Sequence, residues 1–166
     1  MFDKRKSDDN VLISTMKNCE LFNGLSGSEI KTLISISHIR DYSESEKIFF
    51  DGTIGLCIYL IVKGSVQIFT ENDNKVSILK EFAEGAFFSE VHLFSETSHT
   101  VSCMAKEVTR VIVFAKPDIE DIVKIKPKLG NKILLKFLDF FAKKLDELYK
   151  ENSDLKNRLN LNPHNN

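Results

Sequence analysis

What most limits the fold of this chain is a change of hydrophobic period partway along it. Between positions 42 and 114 the sequence breaks into short β-rich runs, at 47–50, 56–62, 65–69, 75–82, 100–105 and 108–114. Both flanks repeat instead at the spacing of a helix. Several short strands in succession predict a barrel or sandwich. Two of the breaks are tight enough for hairpins. Val62-Lys63-Gly64-Ser65 joins one pair of runs, and Glu71-Asn72-Asp73-Asn74 joins the next, with Asn and Asp tolerating left-handed turn positions. A chain of 166 residues holds one such domain and an appended helix, and it buries enough surface to need no staples.

On the N-terminal flank, Val11, Leu12 and Met16 lie at helical spacing within 10–23, and Ser26-Gly27-Ser28-Glu29 forms a capping box that opens a second helix through Ile30, Leu33 and Ile34. On the C-terminal flank, Asp118 is the expected N-cap of a short helix that Pro127 ends, and Gly130 is the expected bend after it. A long helix follows. Its Leu134, Leu138, Phe141, Leu145, Leu148, Leu155 and Leu159 fall at alternating steps of 4 and 3, with Asn152 in the remaining slot. That is a coiled-coil seam, and an Asn at an a position, with Glu151 at g and Lys156 at the following e′, favours two parallel strands. Ile133, Phe137 and Phe140 supply a second apolar face, so one face can cover the β domain while the other meets a partner. The spacing therefore predicts a homodimer, and the tail from Asn160 reads as polar and frayed.

Composition excludes several classes. Lys and Arg together number 23 against 24 Asp and Glu, a formal charge of -1, so there is no basic excess to attract nucleic acid. The three cysteines Cys19, Cys57 and Cys103 are far apart with no CxxC or Cys/His cluster, which predicts reduced, buried thiols and no zinc site. The opening MFDKRKSDDN lacks a signal core, and no stretch approaches the roughly 18 apolar residues of a membrane span. A cytoplasmic protein without a membrane segment is expected. Paired carboxylates, nucleophile–base motifs and P-loops are also missing from the sequence, so it is not expected to be an enzyme, and no cofactor is called for.

The segment with chemical potential is Gly85-Ala86-Phe87-Phe88-Ser89-Glu90-Val91-His92-Leu93-Phe94, read as a turn followed by one short helical turn. Unpaired N–H groups at residues 88–91 could hold a phosphate, with Glu90 available to a sugar hydroxyl. Phe87 and Phe88 suit a core, and His92 suits packing better than ligation.

At these residues the chain resembles the cyclic nucleotide-binding domain family, from about Leu21 to Leu145. The marks are Leu21-Phe22-Asn23-Gly24-Leu25-Ser26, Ile48-Phe49-Phe50-Asp51-Gly52, Tyr59-Leu60-Ile61-Val62-Lys63-Gly64-Ser65-Val66 and the cassette just quoted. In that family the cassette reads F-G-E-hydrophobic-A-L followed by Arg-(Ser/Thr)-Ala: the Glu takes the ribose hydroxyl and the Arg neutralises the cyclic phosphate. The resemblance implies an α+β fold, an antiparallel β-roll (a jelly-roll-like barrel) with N-terminal helices, a short phosphate-cassette helix and a long C-terminal helix. It divides the chain into a helical segment at 1–20, the roll at 21–130, the dimerisation helix at 131–159 and a polar tail at 160–166.

Carried over residue by residue, Phe88, Ser89 and Glu90 match F-G-E with Ser for Gly, Val91 and Leu93 keep apolar positions, and Thr100 follows the Arg position. The Arg itself is His99, His92 replaces a small residue, and Thr53 stands where an acid normally follows Gly52. Phe88, Ser89, Glu90, Val91, His99 and Thr100 are thus the candidate ligand residues, for cyclic AMP, cyclic GMP or another small anionic effector. Each also has a plainer role open to it: Glu90 as a cap, Ser89 as a strand end, His99 as a solvated loop residue. Two functions follow. One is a stand-alone sensor signalling through its long helix to a protein partner; the other is a scaffold that keeps the roll only for dimerisation or protein contact. Regulators of this kind that bind DNA continue into a winged helix, and about twenty residues follow Leu145, so direct DNA binding is not expected.

Overall fold

The computed structural model describes residues 2–72, 75–95 and 97–161, with side chains for 8–71, 75–95 and 97–159. Helix α1 (Phe2–Asn18), a 3-10 turn (Glu20–Phe22) and α2 (Gly27–Ile36) precede strands β1 (His38–Tyr42), β2 (Lys47–Phe49), β3 (Cys57–Lys63), β4 (Ser65–Asn72), β5 (Lys75–Ala83) and β6 (Phe87–Phe88). Then come α3 (Glu90–Ser95), β7 (Ser102–Ala105), β8 (Thr109–Ala115), α4 (Lys116–Ile125) and α5 (Pro127–Leu161). The strands form two antiparallel sheets of four, ordered β1-β8-β3-β6 and β2-β7-β4-β5. This is the α+β roll with flanking helices and a long final helix.

Period-two alternation explains how the roll separates two cores. Along β3, Ile58, Leu60 and Val62 point to the helices, while Cys57, Tyr59 and Ile61 point into the roll; along β8, Ile112 and Phe114 oppose Val111 and Val113 in the same way. Both strands are covered on both faces, which is why they read as nearly continuous apolar runs. The helical core gathers Met16, Phe22, Ile30 and Leu33 from the preface with Ile119, Ile122, Ile133 and Phe137 from the last two helices. Charged pins cross the same interface: Lys132 donates to Glu29 at 2.7 Å and Lys143 to Glu20 at 3.0 Å.

The capping box at Ser26 and Glu29 forms on both sides. Three local expectations are corrected. The N-cap of α4 is Ala115, and Asp118 lies one turn in, its carboxylate accepting from the Ala115 N–H at 3.3 Å. Gly130 is no bend: it lies inside α5, which starts at Pro127 rather than 131. A Cβ there would stand 2.5 Å from the Val123 Cα, so glycine is needed for the close crossing of α4 and α5. A strand at 38–42 and the two-residue β6 join the expected set. Of the hairpin at 71–74, Asp73 and Asn74 lie outside the described residues, as do 162–166 of the polar tail, while Asn160 and Leu161 continue α5.

All three cysteines are free, Cys19 and Cys103 buried and Cys57 half-buried. Burial pushes the Cys103 thiol up to about 12, far from a reactive thiolate. Among the described residues no group of three or more His, Cys, Asp or Glu is placed to hold a metal, and no helix is long and apolar enough to cross a membrane.

Candidate functional site

The cassette is tied to the roll through its backbone. The Gly85 N–H donates to the Ile61 carbonyl and the Ile61 N–H to the Ala86 carbonyl, each at 2.9 Å, which delivers Phe88 opposite Tyr59 in register. The chain must then reverse into α3, and it does so at Ser89 with φ +70°. That left-handed conformation favours glycine, which explains why the related motif carries Gly there. The Ser89 hydroxyl is buried without a partner.

Beyond α3, the chain from Thr97 to Thr100 lies along the loop that follows β2. The His99 N–H donates to the Thr53 carbonyl and the Gly52 N–H to the His99 carbonyl, both at 2.8 Å. These bonds aim the His99 side chain into the roll. It is 4% exposed, so the solvated-loop role is corrected. Its ring stacks on Phe49 with centroids 3.9 Å apart and meets the edge of His92 at 4.4 Å. Gly55 closes a third side: a Cβ there would come within 2.4 Å of the His92 Cβ and 2.8 Å of His99 Cε1 and Nε2. Burial, and secondarily the neighbouring His92, pull the His99 pKa down to about 4, so the imidazole is neutral at pH 7. Its Nδ1 is buried with no hydrogen-bond partner.

The rings continue inward from His99. Phe49 tilts against Tyr59 and Phe88, Tyr59 stacks on Phe88 at 5.1 Å, and Phe82 stacks on Phe88 at 5.8 Å. Phe88 is 1% exposed, so its side chain belongs to this core. Glu90 and Ser89 are half-buried, and Val91 and Thr100 are exposed. The structure thus gathers Ser89, Glu90 and Val91 at the start of α3 and sets the His99 ring, enclosed by Phe49, His92 and Gly55, against the same helix through His92. Sequence reasoning missed Gly55 and the stacking role of Phe49; the signal available was an isolated glycine beside the Phe-Phe-Asp-Gly stretch.

The cassette is coupled to the long helix by aromatic rings. Phe94 of α3 meets Phe137 edge-on at 5.1 Å and Phe141 at 6.4 Å, and Phe87 packs on Phe140 at 4.7 Å. Lys144, one turn beyond Phe140, donates to Glu147 at 2.6 Å. That bond is the main cause that raises its pKa. Of the expected seam, Leu134 and Phe141 are half-buried against the domain, whereas Leu138, Leu145, Leu148, Asn152 and Leu155 are exposed.

Comparison with known proteins agrees with this geometry. Residues 39–126 match the family model described as "Cyclic nucleotide-binding domain". The "Cyclic AMP receptor protein" of Thermus thermophilus is 27% identical over 119 residues, 71% of this chain and 55% of the relative. The chain therefore spans about half the length of that curated relative. The "CRP-like protein Clp" of Xanthomonas oryzae is 30% identical over 88 residues, 52% of this chain and 38% of the relative. Among solved structures, the Thermus thermophilus catabolite activator protein superposes with a TM-score of 0.72 at 25% identity, covering 82% of this chain and 63% of that one. A cyclic nucleotide-binding domain from Methylobacillus flagellatus gives 0.73 at 22% identity, covering 87% and 82%, a likeness of fold.

Proposed function

The chain belongs to the cyclic nucleotide-binding domain family, and from that premise we propose that it is a regulatory module which acts through α5, with a roll closed on its own rings rather than open to cyclic AMP or cyclic GMP. In this reading α5 pairs with a second copy through its exposed leucines and passes the signal to a protein partner in the cytoplasm, with no catalysis and no DNA contact of its own. The observation that carries it is His99. The position that would neutralise the phosphate holds a buried, uncharged ring stacked on Phe49. Replacing the charge-assisted contact of an Arg by a neutral imidazole forfeits about 1.5–3 kcal/mol, or roughly ten- to a hundredfold in affinity. A nucleotide would also have to displace the His99 ring from its stack.

A second reading, a sensor for a small effector bound at the cassette, is favoured by two buried atoms without partners, Ser89 Oγ and His99 Nδ1. Buried polar atoms of this kind ordinarily have a partner. Calorimetry with cyclic AMP and cyclic GMP at pH 7 separates the two. The first reading expects no saturable heat at micromolar protein; a micromolar Kd for either nucleotide would establish the sensor instead.

A further inference from the structure

The corner where α4 ends and α5 begins carries charge unlike the rest of the chain. Residues 122–138 hold five lysines and no Asp or Glu, in a chain whose formal charge is -1. At the corner itself, Lys124, Ile125, Lys126, Pro127 and Lys128 are consecutive and all exposed. Ile125 is 74% exposed, while the apolar residues on either side of the turn, Ile122 and Leu129, are buried. One apolar side chain therefore stands out of the corner, flanked by lysines. We propose that this corner docks the protein on an anionic phospholipid surface, with Ile125 entering the acyl region and Lys126 and Lys128 meeting the headgroup phosphates.

The charge at the corner is not neutralised from within the fold. The Lys128 ammonium has no partner among the described residues, and the Lys126 ammonium donates to the neutral Thr32 hydroxyl at 3.2 Å. Lys124 stands 3.9 Å from Asp121, so the docking does not rest on it. Beside the two lysines runs an open groove of ≈ 690 Å³ whose polar lining is Ser28, Glu29, Thr32, Lys126 and Lys128. The carboxylate in it is already met: Glu29 accepts from Lys132 and from the Ser26 N–H, each at 2.7 Å. What the groove offers a phosphate is two cations and two hydroxyls.

A bilayer fits this corner better than a protein partner does. A stable protein interface buries roughly 800 Å² per side around a packed apolar centre, and one protruding Ile between lysines supplies no such centre. A lipid surface demands no matching shape, and it sets phosphate and hydrocarbon at adjacent depths for ammonium and alkyl groups to meet together. In the parallel pairing that the seam favours, the two corners lie at the same end of the paired helices and bind one surface as a pair. A single corner suffices for docking.

The test is co-sedimentation of the full chain with phosphatidylcholine vesicles, with and without phosphatidylglycerol. Binding is expected only where phosphatidylglycerol is present, and it should weaken as salt rises. Each lysine at such a surface contributes about fivefold, so Lys126→Gln with Lys128→Gln should weaken binding about twenty-five-fold. Both side chains are exposed, so the circular dichroism of the variant should match that of the wild type. The chain contains no Trp, which makes Ile125→Trp a lone fluorescent reporter. Its emission should shift to the blue on phosphatidylglycerol vesicles and be quenched by brominated acyl chains. Absence of binding overturns the proposal, as do equal binding to both kinds of vesicle and lysine variants that bind like the wild type. Ile125→Trp emission that stays unshifted while the protein sediments would give the docking to another surface and overturn it too. So would binding to poly-glutamate as tight as to vesicles, which would give the corner to an acidic protein. None of these outcomes bears on dimerisation, which sedimentation without lipid reads separately.

Discussion

At position 99 a change from guanidinium to imidazole alters more than one contact, because the smaller ring can be enclosed and the larger cation cannot. His99 stays neutral in the fold down to about pH 4, against an ordinary value of 6.5. Between those values the unfolded chain binds a proton that the folded chain does not. Stability from this group is therefore full above pH 6.5 and falls as pH drops toward 4, by roughly 3 kcal/mol near the lower end at about 1.4 kcal/mol per pKa unit. Urea melts at pH 7 and pH 5 should show the wild type losing more stability than His99→Gln over the same interval. Equal losses would mean that the folded protein protonates His99 freely. The identity of this residue was legible in the sequence only through the family resemblance, which sets His99 at the position of the motif's Arg. Its burial was not, because enclosure depends on Gly55 and Phe49, which reach the ring only once the 50–54 loop pairs with 97–99.

Among the elements, α4 and α5 show where local rules yield to packing. Helix propensity alone makes Gly130→Ala stabilising by about 1 kcal/mol. The 2.5 Å approach to the Val123 Cα reverses the sign, since overpacking against backbone costs about 1–3 kcal/mol. Denaturant unfolding of Gly130→Ala should thus show a lower midpoint than wild type; a higher one would mean that the two helices cross less closely. The same contest explains what the sequence concealed. Gly130 looks like a bend because its only visible property is freedom, and the partner that demands it lies on another helix. β1 escaped notice because His38, Ile39, Arg40 and Asp41 are all exposed and carry no apolar alternation, their pairing with β8 being the sole cause of the strand. The long helix, the capping box and the six apolar runs were legible because each carries its own period or cap.

For the whole molecule, the longest exposed apolar stripe along a helix among the described residues is the far side of α5. Leu138, Leu145, Leu148, Leu155 and Leu159 are each more than half exposed, while Ile133, Phe137 and Phe140 on the other side are buried. A second copy covering the exposed stripe removes that apolar area from water. Sedimentation at micromolar concentration should show a dimer, and Leu145→Glu with Leu148→Glu should give folded monomers, because charges in the seam lose their solvation. A wild-type monomer would remove the assembly from the account. The most direct test of the account, however, is an NMR titration of the His99 imidazole with and without a large excess of cyclic AMP. It predicts a midpoint near pH 4 that the nucleotide does not move. A midpoint near 6.5, or one that rises when cyclic AMP is added, would show an open site with a phosphate against the ring, and would contradict it.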